Sequence, residues 1–424
     1  MSVSLYVDCV CGNYVGAIAE DGRLVEYRVE KKNSAVPIGS VFKGKVENVL
    51  GGMQAAFVNV GLSRNGYLSA GDMLMDKSEI DGKVDIPSVL NLNPGDEIMV
   101  QAVKDPAGTK GVRLTCHVSF AGRYVVFLPT FAFVGVSRKI TDEKNRERLL
   151  KIARKVCPDG KGLIVRTAGE NASNGDIKRE VKYFAALYEE IEKNFAAAKS
   201  GTCIYEEGNV GMRLLRDVYN DDVEKFVVSD KDLFNELLKY AKKLDSGLKK
   251  VLKYYDKKTD MFEYYGLNSD VEKMLDGSVS LKNGAYIVID KTEAMTVIDV
   301  NTGKFTGEDN LEDTVFETNI LAAKEIAVQL RLRNISGIIV VDFIDMEIPE
   351  HRSELLRVLS EELKTDRERC QVIGMTPLGL VEITRKKRRR ESLSMLVKDC
   401  PYCLGTGKIE SNDYIVMRIR TALM

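Results

Sequence analysis

Residues 338–346 read IIVVDFIDM, an apolar run interrupted twice by aspartate. The run is far too short to span a membrane, which takes about 20 apolar residues. With Gly337 just upstream, it reads as a buried strand in an α/β layer. Asp342 falls midway along it, where an unpaired carboxylate is expensive to bury.

The flanking text, residues 284–384, completes a pattern around this run. AYIVID and MTVIDV read as paired strands, NILAAKEIAVQLRLR and EHRSELLRVLSEELKTD as helices, and GLVEITRK as a last strand. The order strand pair, helix, strand, helix, strand describes a two-layer α/β domain. Strand side chains alternate, so Val297, Asp299 and Asn301 share one face and Thr296, Ile298 and Val300 the other. If the two Asp-bearing strands are neighbours, Asp299 and Asp342 can hold one Mg²⁺, which takes a few carboxylates plus waters and substrate phosphate. The alternative is that these acids cap turns or pair with Lys or Arg. Asp345 has the opposite parity to Asp342 and reads as a turn or cap residue.

Upstream, residues 1–30 turn like a strand pair about Asp21-Gly22. Residues 38–118 hold five short strands with Gly-rich turns, which suits a small OB-type barrel. In QAAFVNV, Ala56, Val58 and Val60 form the core face, and Ala55, Phe57 and Asn59 the other. Phe57 on the polar face, joined by Tyr67 and Lys110, suits stacking of single-stranded bases. The alternative is that Phe57 closes the end of the barrel. Residues 119–210 carry a helix with Val181, Phe184, Leu187 and Ile191 at helical spacing, and residues 211–275 read as mixed α/β around DLFNELLKYAKKL.

Charge excludes a generally basic polyanion binder, because 62 Lys and Arg face 63 Asp and Glu. Basicity is local, in the run RKKRRR from Arg385 to Arg390, which reads as a phosphate-touching patch, a solvated linker or a localisation signal. With no membrane span and no signal-peptide pattern in MSVSLYVDCVCG, a cytoplasmic protein is expected. Of eight cysteines, Cys9, Cys11, Cys116, Cys157, Cys203 and Cys370 read as buried free thiols. Cys400 and Cys403 form CPYC before LGTGK, a knuckle that favours zinc over a redox pair. Zinc wants four ligands, so a distant pair or a second chain completes the set.

Taken together, AAFVNVG with GYL, GLIVRTAG, IDVNTGK, ETN, GIIVVDFIDM, GLVEITRK and CPYC-x-GTG resemble the bacterial ribonuclease E/G family from the N-terminus to about Lys408. The ribonuclease G branch is the closer, since no long disordered tail follows. The resemblance implies a multidomain α/β chain. An RNase H-like fold (residues 1–36 and 211–278) holds an inserted OB-type barrel of the ribosomal-protein S-one kind (37–118) and a 5′-sensor domain (119–210). A DNase I-like α/β catalytic domain (279–398), a zinc link (399–408) and a short tail (409–424) follow.

By the same resemblance Asp299 and Asp342 are Mg²⁺ ligands, and Asn301 positions the attacked phosphate. Phe57, Tyr67 and Lys110 grip RNA, Arg166 and Thr167 read a 5′-monophosphate, and Cys400 and Cys403 share Zn²⁺ with a second chain. Pro377 stands where the family's sensor pocket is expected to add an arginine, and the family's small C-terminal domain is largely absent. The implied activity is Mg²⁺-dependent endonucleolytic cleavage of single-stranded RNA, in rRNA precursors and mRNA, by a homodimer. A non-catalytic RNA-binding or ribosome-assembly factor with the same fold is the alternative.

Overall fold

The computed structural model describes residues 2–32, 38–69, 92–104, 111–220, 222–244, 247–303, 311–387, 391–398, 400–403, 405 and 407–423. The chain divides into two compact units, Met1–Glu272 and Lys273–Met424.

The first unit opens with β1 (Val3–Val10), β2 (Asn13–Glu20) and β3 (Arg23–Lys31), joined by two tight hairpins. Cys11 and Gly12 both have positive φ, as do Asp21 and Gly22. Two such residues in succession give the type I′ turn, whose twist matches that of the strands it joins. The Asp21-Gly22 turn was legible in the sequence; the Cys11-Gly12 turn was hidden by the cysteine.

A barrel follows, built from β4 (Val41–Leu50), β5 (Ala55–Asn59), β6 (Gly66–Ser69), β7 (Glu97–Lys104) and β8 (Arg113–Thr115). The order β4-β5-β6-β8-β7 closes through β4–β7 pairing. Phe42, Val46, Ala56, Val58, Leu68, Val100 and Leu114 fill its interior. Ala56, Val58 and Val60 are core residues as the alternation requires, but Ala55 is buried as well, so the opposite face is not uniformly polar.

A third sheet contains β9 (Phe120–Ala121), β10 (Val125–Leu128), β11 (Val134–Val136) and β12 (Gly162–Val165), with α1 (Glu143–Val156) and α2 (Asn174–Ala197). Ser173 and Asp176 make a reciprocal capping box at the start of α2. The helix buries Val181, Phe184 and Ile191 as spaced, with Tyr188 deeper than Leu187.

From there β13 (Thr202–Tyr205) returns to pair with β4. Next come α3 (Val210–Asp217), β14 (Val223–Val228), α4 (Lys231–Leu244), α5 (Leu248–Val251) and β15 (Leu252–Tyr254). β14 lies parallel to β1 and β15 parallel to β14, giving the sheet order β3-β2-β1-β14-β15. The unit ends with α6 (Met261–Tyr264), and α7 (Asn268–Leu275) straddles the division between the units.

The second unit is one six-stranded sheet with helices on one face. Its elements are β16 (Ser278–Ser280), β17 (Tyr286–Lys291), β18 (Met295–Asn301), α8 (Leu311–Leu332), β19 (Gly337–Asp342), α9 (Pro349–Leu363), β20 (Cys370–Met375), β21 (Leu380–Arg385), α10 (Leu393–Leu396) and α11 (Asn412–Leu423). The sheet order is β16-β17-β18-β19-β21-β20, and β18–β19 is its one parallel pair among the described residues. α8 and α9 cover Ile298, Ile339, Val341, Val381 and Ile383.

Two expectations about the apolar run change here. The strand is not buried on both faces: Ile339 and Val341 are fully buried, whereas Ile338 is 51% exposed on the uncovered side. It also ends at Asp342, so that carboxylate stands exposed at a strand terminus and does not incur the cost of burial. Phe343 and Met346 then turn back into the core beside the helices.

Arg385, the first residue of the basic run, is not a phosphate contact either. Its guanidinium is buried and donates to Asp366 Oδ2 at 2.7 Å, Asn334 Oδ1 at 2.9 Å and the Ile335 carbonyl at 2.9 Å. As the last residue of β21 it faces the core side of the sheet, alternating with exposed Thr384. Residues 388–390 of the run lie outside the described residues.

Candidate active site

Asp299 and Asp342 are direct partners in the β18–β19 register. Both strands run the same way, so both carboxylates reach the same end of the sheet. Ile298 and Val300 point into the helical layer, which forces Asp299 to the open face. The two acids line an open depression of about 340 Å³ together with Asn301, Thr302, Ile344 and Asp345. Asn301 Nδ2 donates to Asp299 Oδ2 at 2.8 Å. An amide carries a second N–H, so Asn301 can orient Asp299 and still donate to an anion.

Asp345 lines the same depression, although strand parity made it a turn residue. The parity argument lapses because the strand has already ended at Asp342. No three His, Cys, Asp or Glu converge as a metal cage among the described residues. Two exposed hard-oxygen carboxylates in a roomy depression fit a cation that keeps much of its water, as Mg²⁺ does.

The loop after β19 is held by side chains that the sequence reading did not single out. Asn319 of α8, fully buried, donates from Nδ2 to the Ile344 carbonyl at 2.7 Å and accepts from the Ile344 N–H at 3.1 Å. The Glu312 carboxylate accepts the N–H groups of Glu347 and Ile348, both at 3.1 Å. These two bonds, with His351 beside them, hold the Glu312 carboxyl below its ordinary range. Arg352 Nε donates to the Met346 carbonyl at 2.7 Å. His351, stacked on Phe316 at 4.2 Å between centroids, therefore serves this framework.

On the barrel, Phe57 and Tyr67 are cross-strand partners with ring centroids 5.9 Å apart in an edge contact. Both are half-buried, on the outer face. Asn48 continues the row on one side and Arg113 on the other. A row of two rings with an arginine in register is the kind of surface on which single-stranded bases stack. Arg113 escaped the sequence reading, although its place in TKGVRL, one residue from the buried Val112 and Leu114, would have put it outside. Lys110 lies outside the described residues.

Arg166 and Thr167 are adjacent but engaged differently. One Nη of Arg166 donates to the Gly122 carbonyl and to Asp217 Oδ1, the latter at 3.0 Å. Burial pushes the Asp217 carboxyl up, but the Arg216 and Arg166 guanidiniums outweigh it and hold the group well below the usual carboxylate range. The Gly122 segment is itself anchored, because buried Glu180 accepts the N–H groups of Arg123, Tyr124 and Val125. Exposed Thr167 has its hydroxyl 3.3 Å from that of Ser137, a neighbour the sequence did not reveal. Pro377 falls in the turn between β20 and β21, where the Thr376 carbonyl accepts the Gly379 N–H.

Cys400 and Cys403 flank a tight turn, and Gly405 and Gly407, just beyond Cys403, adopt positive φ. The backbone N–H groups of Gly407 and Gly405 point at Cys403 and lower its pKa, the chemistry wanted of a thiolate ligand. None of the six upstream thiols is fully buried as expected: Cys11 and Cys203 are exposed, and Cys9, Cys116, Cys157 and Cys370 are half-buried. Burial nevertheless pushes Cys9, Cys157 and Cys203 up, Cys116 to about 11 and Cys370 to about 12.

The chain is similar to known proteins over most of its length. The Ribonuclease E/G family matches residues 119–388. A Ribonuclease G of Haemophilus influenzae is 37% identical over 408 residues, 95% of this chain and 83% of that one. A Ribonuclease G of Escherichia coli is 35% identical over 426 residues, covering 99% and 87%. A Ribonuclease E of a Nostoc species is 37% identical over 376 residues, 87% of this chain and 54% of that one.

The thiol shifts give a direct expectation. In metal-free protein at mildly alkaline pH, Cys403 should be alkylated by iodoacetamide well before Cys116 or Cys370. A lowered pKa enlarges its thiolate fraction, whereas the other two stay protonated. Peptide mapping by mass spectrometry reads the order, and faster modification of Cys116 or Cys370 would remove the basis for treating Cys403 as a ligand.

Proposed function

The chain belongs to the ribonuclease E/G family, and from that membership we propose that it is an endoribonuclease cutting single-stranded RNA with Mg²⁺, in rRNA maturation and mRNA decay. The observation that carries the reading is the facing pair Asp299 and Asp342 in an open depression, with Asn301 bonded to one of them. Asp299 and Asp342 would hold the Mg²⁺, which supplies Lewis-acid charge to the scissile phosphate and activates a water, leaving a 5′-phosphate and a 3′-hydroxyl. Asn301 fixes the Asp299 carboxylate with one N–H and offers the other to a phosphate oxygen. The fold supplies the rest by packing α8 and α9 against the sheet face opposite to the acids.

Around this centre we assign the domains as the family resemblance implies. The sheet β3-β2-β1-β14-β15 is the RNase H-like part, the closed barrel the OB-type RNA-binding domain, and the β10–β12 layer with α1 and α2 the 5′-sensor. The second unit's sheet is the DNase I-like catalytic domain. The Phe57–Tyr67 row grips the RNA, and Arg166 with Thr167 reads a 5′-monophosphate. Because Arg166 already serves Asp217, that reading of the 5′ end is modest in strength. Cys400 and Cys403 contribute two of four zinc ligands, and a homodimer supplies the others. No helix among the described residues is long and apolar enough to cross a membrane, and RNA turnover of this kind places the protein in the cytoplasm. A non-catalytic RNA-binding or ribosome-assembly role is the second reading, and the retained triplet of Asp299, Asn301 and Asp342 counts against it.

Three outcomes follow. Asp299→Asn and Asp342→Asn should each abolish Mg²⁺-dependent cleavage of a fluorescent single-stranded RNA while leaving its binding in EDTA nearly unchanged. Near wild-type turnover in either variant at low Mg²⁺ overturns the metal assignment. Phe57→Ala should weaken the same RNA by about 1–3 kcal/mol, the worth of one stacked base. Normal binding with lowered thermal stability would make Phe57 a packing residue. Metal analysis and light scattering should find about half a zinc per chain and a dimer that dissociates in Cys400→Ser, since tetrahedral zinc takes four ligands. One zinc per chain, or a dimer indifferent to the mutation, would sink the shared site.

A further inference from the structure

The backbones of the two acids are secured in different ways. Asp299 lies within β18, laddered on one side to β17 and on the other to β19. Asp342 is the last residue of β19, and there the chain leaves the sheet. Beyond that point no neighbouring strand among the described residues takes up the backbone N–H and C=O groups, which must find other partners or stay hydrated.

At Ile344 that partner is a single side chain. Asn319 accepts the Ile344 N–H at 3.1 Å and donates to the Ile344 carbonyl at 2.7 Å, reproducing both bonds that a neighbouring strand would make. Glu312 and Arg352 grip the loop further along, at residues 346–348. Asn319 is fully buried on a helix whose inward face carries Ala322, Ala323, Ile326, Ala327 and Leu330 alongside a few buried polar side chains such as Thr318. An amide at such a place is a cost to the core unless both its ends are used. Here both ends are spent on Ile344, which lies between Asp342 and Asp345 and itself lines the depression.

We infer that Asn319 is a positioning residue for the Asp342 side of the site, its amide standing in for the missing strand so that the Asp342 and Asp345 carboxylates keep a fixed direction. The inference rests on the reading of Asp299 and Asp342 as the cation-holding pair. Asn319 touches neither RNA nor cation; it acts through the backbone of Ile344. A side chain that orients the groups holding a metal is typically worth about 10–100-fold in metal affinity or activity.

The test uses the full chain, with Mn²⁺ standing in for Mg²⁺ and read by electron paramagnetic resonance. Asn319→Leu removes both bonds, and Asn319→Asp keeps an acceptor for the Ile344 N–H while removing the donor. Thr318→Val is the control. Thr318 is equally buried and polar, but it bonds to the Thr314 carbonyl and to Asn283, away from the loop. Asn319→Leu should weaken Mn²⁺ binding by about 10–100-fold and speed amide exchange in the peptide containing Ile344. It should also lower kcat with little change in KM, in part recoverable at high Mg²⁺. Asn319→Asp should fall short of wild type in the same readouts and covers the case in which Asn319→Leu does not fold. Thr318→Val should lower Tm but leave Mn²⁺ affinity unchanged. Wild-type Mn²⁺ affinity in a folded Asn319 variant, or an equal loss in Thr318→Val, overturns the inference. Wild-type protein that binds no Mn²⁺ sinks the pair itself and the inference with it. Wild-type protein that binds Mn²⁺ but cuts no RNA sinks the nuclease reading, and the Mn²⁺ arm still decides Asn319.

Discussion

The parallel pairing of β18 with β19 is the constraint on which the candidate site depends. Parallel neighbours end at the same edge of a sheet, so residues in register at their C-terminal ends share one opening, where α/β sheets commonly place their ligands. Register sets Asp299 opposite Asp342. It is itself enforced from the other face, where Ile298, Ile339 and Val341 pack beneath α8 and α9. A slip of one residue would drive the aspartates into that apolar layer and expose the aliphatic side chains. Keeping the core dry and keeping the acids together are therefore one requirement.

The crossover that makes the pairing parallel also supplies the framework of the site. α8 must run back from the end of β18 to the start of β19, and this passage brings Asn319 and Glu312 alongside the loop that follows β19. The loop departs from a sheet edge with unpaired backbone groups, and the helix provides partners for them. Two polar residues of the helix are accounted for in this way: Glu312 answers the N–H groups at the start of α9, and Asn319 answers Ile344. The barrel shows the same logic in another form. Its closed interior commits Ala56, Val58 and Leu68 inward, and alternation leaves Phe57 and Tyr67 on the outside as cross-strand partners.

Much of this was legible in the residues. The apolar runs, the Asp21-Gly22 turn and the spacing of α2 gave the elements, and alternation assigned the faces of β18. The expectation of a doubly buried strand failed because a run of β-branched residues does not reveal whether its second face is covered. β20 is hard to recognise because CQVIGM is short and holds a glycine next to its last residue, with no alternation to mark it. Asp345 does lie in the loop past the strand, but its place in the lining of the depression is not legible, because the end of β19 carries no turn residue to announce it. Asn319, although part of the ETN motif, carries no sign of its role, since its partner is a main-chain group that sequence cannot display.

The arginines show where sequence reasoning stops. Arg385 opens a run of six basic residues and looked like a contact for polyanions, yet its neighbours along the chain say nothing of Asp366, which neutralises it inside the fold. Arg166 looked like an open fork beside a hydroxyl, and half of that fork is already spent on Gly122 and Asp217. Arg113 drew no attention and stands in register with the aromatic row. Charge is a property of the residue, but availability is a property of its partners. A guanidinium satisfied by a buried carboxylate gains little from a phosphate, because the first anion would be left unpaired in a low-dielectric setting. Which arginines can serve RNA is therefore decided by what the fold already pairs them with, and not by where basic letters are densest.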